Sequence, residues 1–153
     1  MHAALLERPT AKYTGLSYSH PAAAASEGAG RSEPARPARP VLVVDDDPTI
    51  RALVVEALTD DGYPVVEATD GQEALQLCGT ADPCLILLDM RMPVMDGWAF
   101  ASAYREQFRL RAPVIVMTAA RDARTWADQI GADGVLPKPF DLADLSALVQ
   151  RFC

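Results

Sequence analysis

Two runs without a polar residue, Val41-Leu42-Val43-Val44 and Leu85-Ile86-Leu87-Leu88, dominate the hydrophobic pattern of this chain. Short, fully apolar runs of this kind predict strands covered on both faces, as in the middle of a parallel sheet. A third, Pro113 to Met117, predicts another strand ending at Thr118. Tyr63 to Ala68 is less apolar and fits a strand nearer an edge, and Gly134 to Leu136 fits a short fifth strand. The stretches between them carry helical periodicity. After Asp47 as N-cap and Pro48 at the first position, Ile50, Leu53, Val54, Ala57 and Leu58 recur on one face until Asp60-Asp61-Gly62 stops the helix. Gly71 and Gln72 open a second helix with Ala74, Leu75 and Cys78 inward, closed by Asp82-Pro83. A third runs from about Trp98 to Phe108, offering Phe100, Ala101, Tyr104 and Phe108. A fourth spans Ala123 to Ile130 before Gly131. The last starts at Asp141, with Asp144 favourable in its first turn and Leu142, Leu145, Leu148, Val149 and Phe152 as its apolar positions.

Five strand–helix pairs with short connections imply an α/β fold, a doubly wound, five-stranded parallel sheet covered on both faces. Such sheets place their chemistry at the carboxyl ends of the strands. Asp45 and Asp46, Asp89, Thr118 and Lys138 follow strands one, three, four and five, and are therefore expected at one rim. Carboxylates that converge repel one another, so this rim calls for a hard cation with oxygen ligands, of which Mg²⁺ is the type.

The stretch 1–40 departs from this pattern. It holds Pro9, Pro21, Pro34, Pro37 and Pro40, an alanine run from Ala22 to Ala25, and no sustained periodicity, which predicts a disordered Pro/Ala-rich leader ahead of a folded domain over 41–153. Its five basic and three acidic residues give a net +2, leaving −9 on the remainder of a chain whose formal charge is −7. A domain so acidic is not a bulk electrostatic binder of nucleic acid. His2 and His20 both lie in the leader without neighbouring ligands. No apolar run reaches the roughly 20 residues of a membrane span, nor does one near Met1 form a signal-peptide core. The three cysteines have no metal-ligand spacing; Cys78 and Cys84 are expected to pack as small hydrophobes and Cys153 to be exposed, without a structural disulfide. A cytoplasmic, reducing location follows as the expectation.

Read as chemistry, the rim residues form a consistent set. Asp45, Asp46 and Asp89 offer hard oxygens to Mg²⁺. Asp89, once its neighbours' charge is screened, can attack phosphorus as an anionic nucleophile. Lys138 brings a compact positive charge to the phosphoryl group and Thr118 a hydroxyl donor, balancing the charge on the equatorial oxygens of the transition state. Nothing in the set is a strong general base, and an ionised aspartate needs none.

At these residues the chain resembles the receiver domain of two-component response regulators. The resemblance covers about residues 40–153 and rests on Val43-Val44-Asp45-Asp46-Asp47, Asp89-Met90-Arg91-Met92-Pro93-Val94-Met95-Asp96-Gly97, Thr118-Ala119 and Lys138-Pro139-Phe140, in order and at strand ends. It implies a flavodoxin-like (βα)₅ sheet in the order 2-1-3-4-5. It implies that Asp46 and Asp89 ligate Mg²⁺ directly with the backbone carbonyl of Arg91, that Asp45 acts mainly through water and Lys138, that Asp89 is the phosphoacceptor, and that the Lys138–Pro139 bond is cis. The implied function is a phosphorelay step: a histidine kinase or histidine phosphotransfer protein donates to Asp89, and the domain hydrolyses its own acyl phosphate.

The chain departs from the family at several points. The family usually carries Tyr or Phe on strand five, whose inward swing toward the active-site threonine reports phosphorylation; here Val135 takes that place and is too short to swing. Trp126 on the fourth helix is a candidate for that role, set against its simpler reading as an aromatic half-packed on an amphipathic helix. Trp98 is expected to be core. Arg91 stands two residues after the acceptor, where family side chains overhang the phosphoryl group, either screening water or lying solvated; Ala120 leaves the opposite side open. With Cys153 closely following the fifth helix, output is expected by protein contact through helix four, strand five and helix five, a surface that would also serve a homodimer. Two competing readings are a degenerate receiver used only for binding, supported by Val135 alone, and a haloacid-dehalogenase-like phosphatase. The second takes Asp45-Asp46-Asp47-Pro48-Thr49 as its signature, with Asp45 as nucleophile and Asp47 as acid–base; it leaves Met92-Pro93 and Asp96-Gly97 without a place. The absence of Gly-x-x-x-x-Gly-Lys excludes a P-loop.

Overall fold

The computed structural model describes residues 38–153. The leader expected over 1–40 lies, apart from its last three residues, outside them. Among the described residues Arg39 is bound to the domain, its guanidinium pairing with Asp82 at 2.9 Å and donating to the Pro83 carbonyl at 2.8 Å.

Five strands alternate with five helices. These are β1 (Val41–Val44), α1 (Pro48–Asp60), β2 (Val65–Ala68), α2 (Gly71–Ala81), β3 (Leu85–Asp89), α3 (Gly97–Gln107), β4 (Val114–Thr118), α4 (Ala123–Ile130), β5 (Gly134–Pro137) and α5 (Leu142–Phe152). All pair in parallel in the order β2-β1-β3-β4-β5. The less apolar strand does lie at the edge, and the aliphatic residues of β1 and β3 are fully buried.

Alternation along the strands divides the core in two. Leu42, Val44, Ile86, Leu88 and Val116 point to the side where Ala74, Phe100, Tyr104 and Ala127 pack. Val41, Val43, Leu85, Leu87, Ile115 and Met117 point to the other, against Val54, Leu58, Leu145 and Val149. Burying both sets holds the register, because a slip of one residue would exchange the faces. The inward stripes of α1 and α5 are narrower than the periodicity suggests: Leu53 and Leu142 are exposed, while Val54, Leu58, Leu145 and Val149 face the core.

The cysteine expectation needs correction. Cys78 is a buried free thiol, its pKa pushed up to about 12 by burial, but Cys84 and Cys153 form a disulfide. The start of β3 and the end of α5 lie on the same side of the sheet, bringing Cα atoms 69 residues apart in sequence to 5.6 Å. That proximity arises from the winding of the sheet and has no trace in local sequence. No helix among the described residues is long and apolar enough to cross a membrane.

Candidate active site

The carboxyl rim is built by strand endings. β1 gives way directly to Asp45, which is fully buried, and then to exposed Asp46; β3 ends in Asp89, 8% exposed. Each offers a carboxylate oxygen, and these three atoms lie within 4.8 Å of one another. The order places β1 between β2 and β3, so the cluster sits where the winding reverses, the usual ligand crevice of an open α/β sheet. Three hard oxygen donors at this separation, two of them buried, suit a small divalent cation.

Lys138, from the end of β5, reaches across the rim. Its Nζ lies 2.6 Å from Asp45 Oδ2 and 3.8 Å from Asp89 Oδ1. Its backbone N–H donates to the Thr118 carbonyl at 3.0 Å, fixing it to the end of β4, and its bond to Pro139 is cis as the motif implies. Thr118 is buried, with its hydroxyl oxygen accepting from the Ala120 N–H at 3.3 Å. Asp89, Thr118 and Lys138 line one cleft with Asp45, Asp46, Arg91, Arg121 and Trp126.

One ammonium serves two buried carboxylates and sits nearer Asp45. The Asp89 carboxyl is raised to about 6: burial is the main cause, Lys138 opposes it, the Asp45 charge adds to it, and the Met90 and Arg91 amides oppose it. Near neutral pH Asp89 is still ionised, but at a cost.

Loop β3–α3 is fastened on all sides. The Gly97 N–H donates to the Met90 carbonyl at 3.0 Å and the Gly71 N–H to that of Met95, also at 3.0 Å. A Cβ on Gly97 would stand 2.6 Å from Met90 Sδ and 2.9 Å from the Asp89 carbonyl oxygen, so only glycine permits this approach. Val94 is held at φ 67°, an unusual conformation for a β-branched residue.

Asp47 is used differently. Its side chain caps α1, accepting from the Thr49 N–H at 2.8 Å, and its own N–H donates to Asp45 Oδ1 at 3.0 Å. Asp45 is wholly buried and ion-paired, and Asp47 is occupied as a cap, an arrangement that does not favour the phosphatase roles. Nor is any member of the acidic set or the lysine missing, as a degenerate site would require. Sequence reading did not single out Arg51, whose guanidinium donates to the Asp45 carbonyl at 2.7 Å and so steadies the turn beneath the cluster. Its one signal was a cation in the first turn of a helix that follows an acidic strand end.

The response regulator receiver domain model matches residues 41–150. This chain belongs to the response-regulator receiver family. The receiver is 41% identical over 113 residues to the DNA-binding transcriptional regulator NtrC of Escherichia coli, covering 72% of this chain and 24% of that one. Its fold matches the chemotaxis response regulator CheY4 of Vibrio cholerae with a TM-score of 0.69 and 36% identity, over 76% of this chain and all of that one. It also matches the response regulator TrrA of Thermotoga maritima, solved in complex with Mg²⁺-BeF, with a TM-score of 0.67 and 32% identity over 75% and 99% of the two chains. The chain spans less than half the length of the curated relatives it matches, 24% to 46% of them.

Val135 is half-buried on β5, packed against the core cluster on the α3–α4 side. Trp126 is half-buried on α4 as its simpler reading implies, but Trp98 is also only half-buried, meets Trp126 edge-on, and donates its indole N–H to Gln129.

Proposed function

We propose that this receiver accepts a phosphoryl group on Asp89 from a phosphohistidine donor, in a Mg²⁺-dependent step of a phosphorelay. The observation that carries the proposal is the charge arrangement around Asp89: a buried carboxylate facing two others, with a shared lysine that lies closer to Asp45. Asp46 and Asp89 would hold Mg²⁺ with the Arg91 backbone carbonyl, Asp45 acting through water and Lys138. When bound, the ion supplies the positive charge that screens the carboxylates from each other and from phosphate oxygens. Asp89 Oδ attacks phosphorus, the new O–P bond forming as the donor's N–P bond breaks, and the imidazole leaves with a proton from solvent. Lys138 and Thr118 meet the charge on the transferring oxygens. Reversal of state needs only water, which attacks phosphorus and releases inorganic phosphate and the Asp89 carboxylate. The protein thus catalyses its own modification without being a conventional turnover enzyme.

The donor would be a histidine kinase or histidine phosphotransfer protein in the cytoplasm, and output would pass by protein contact, with α4, β5 and α5 as the face for a target or a second copy. The test is intact mass after incubation with Mg²⁺ and acetyl phosphate. One phosphoryl group should be gained, labile to hydroxylamine, absent in EDTA and absent in Asp89→Asn. Labelling of Asp89→Asn at the wild-type rate would refute the assignment, and the phosphatase reading requires Asp47→Asn to be the damaging change instead.

A further inference from the structure

Arg91 stands at the mouth of the Asp89 cleft, exposed, and among the described residues it makes no ion pair. Its guanidinium instead lies over the Trp126 ring, 5.0 Å from the centroid. Trp126 meets Trp98 edge-on, with centroids 4.9 Å apart at 67°, and the Trp98 indole N–H donates to Gln129 Oε1 at 3.0 Å. The chain of contacts therefore runs from the loop after β3, across α4, to α3. Helix α4 is otherwise lightly held: it has eight residues, buries only Ala123, Ala127 and Ile130, and its N-cap Asp122 makes no side-chain cap bond. Two of its three buried residues are small alanines, and α4 is joined to α3 by the indole pair, by the Trp98–Gln129 bond and, at its far end, by the Arg105 guanidinium donating to the Ile130 carbonyl.

A cation over a half-buried ring at the mouth of an open cleft is weakly bound compared with the same cation paired to a phosphoryl dianion. We propose that Arg91 and Trp126 together form the phosphoryl sensor of this domain: when Asp89 is phosphorylated, the Arg91 guanidinium leaves the Trp126 ring for the phosphoryl oxygens, and the Trp126–Trp98 pair rearranges on α4. The proposal rests on Asp89 being the acceptor. Arg121 lines the same cleft, but among the described residues it has no ring or anion contact that phosphorylation would break. Thr118 from the end of β4 and Arg91 from the loop after β3 would then approach the phosphoryl group, and Arg91 is the one of the two joined to an aromatic of α4.

The chain has two tryptophans, so its indole fluorescence reports this pair alone. The full chain is treated with Mg²⁺ and acetyl phosphate, intact mass gives the occupancy of each sample, and acrylamide quenching is measured at matched occupancy. In the wild type, quenching should rise with occupancy, because the cation no longer covers the Trp126 face. Arg91→Gln should quench strongly before phosphorylation and show no further rise at equal occupancy, whereas Arg91→Lys, which retains a cation, should restore the rise. No rise in the wild type at full occupancy, or an equal rise in Arg91→Gln, overturns the sensor while leaving acceptance intact. A wild-type mass without a phosphoryl group overturns the acceptor reading itself, and the sensor with it.

Discussion

Replacing Asp89 with Asn should stabilise the metal-free protein at neutral pH, although it removes the proposed acceptor. The native carboxyl titrates at about 6 against an ordinary value of 3.8, chiefly because burial disfavours its charged form. The folded state therefore holds a proton that the unfolded chain has already released, and wild-type stability falls as pH rises from about 4 to about 6. Above that window the ionised carboxylate costs about 3 kcal/mol, at 1.36 kcal/mol for each pKa unit. The Asn side chain has nearly the same shape and no charge, so the variant should exceed the wild type by up to about 3 kcal/mol at pH 7 and match it near pH 4. For a domain of this size that is a rise in Tm on the order of 10 °C. Urea unfolding in EDTA at several pH values measures it, and the difference between the two proteins cancels the other carboxylates. A gain that does not vary with pH, or no gain at pH 7, would refute the account of a carboxylate held against its own burial.

Mg²⁺ should raise the unfolding midpoint of the wild type by mass action, and Asp46→Ala should abolish that rise while the metal-free variant stays folded; an undiminished Mg²⁺ effect would remove Asp46 from the ligand set. Gly97→Ala forces a Cβ to within 2.8 Å of Met90 Cα, so it should lower stability by about 1–3 kcal/mol and slow acetyl-phosphate labelling of Asp89, with unchanged unfolding and labelling arguing against a tight loop. Cys153→Ser should lose up to about 4 kcal/mol under non-reducing conditions, the loop-closure value for a 69-residue separation. In reductant the two proteins should converge, and mass after alkylation should show one free thiol in the oxidised wild type; three would remove the bridge.

What the sequence revealed and what it concealed divide along physical lines. Strand interiors such as Leu85 to Leu88 were legible because only burial on both faces tolerates such a run, and the carboxylates at their ends were legible because a strand delivers its last residue to a fixed rim. The start of α1 was legible from Asp47 and Pro48, whose roles are local. The end of α4 was legible from Gly131, which caps it in the left-handed conformation. The Cys84–Cys153 bridge was not legible, because it depends on how β3 and α5 meet across the sheet. Leu53 and Leu142 have the right residue type for the core, and only the packing of neighbouring helices decides that they face out. Arg91, Trp98 and Trp126 each drew notice alone, but the stack they form joins residues brought together by α3 and α4.

The electrostatics of the rim support our proposal that Asp89, among three aspartates, is the phosphoacceptor. Asp46 is exposed, so water already solvates its charge. Asp45 is the most buried, but it has Lys138 at 2.6 Å and accepts from the Asp47 N–H, so its charge is met within the protein. Asp89 is nearly as buried, lies 3.8 Å from the same ammonium, and is left under-neutralised. Three carboxylates against one ammonium leave a formal deficit of two positive charges, which matches a single divalent cation. On that proposal the reactive position follows from the burial of Asp89 together with the uneven division of one lysine between two buried acids. In the proposed function the same imbalance that weakens the metal-free fold would draw the cation and leave Asp89, which lines the cleft, as the nucleophile.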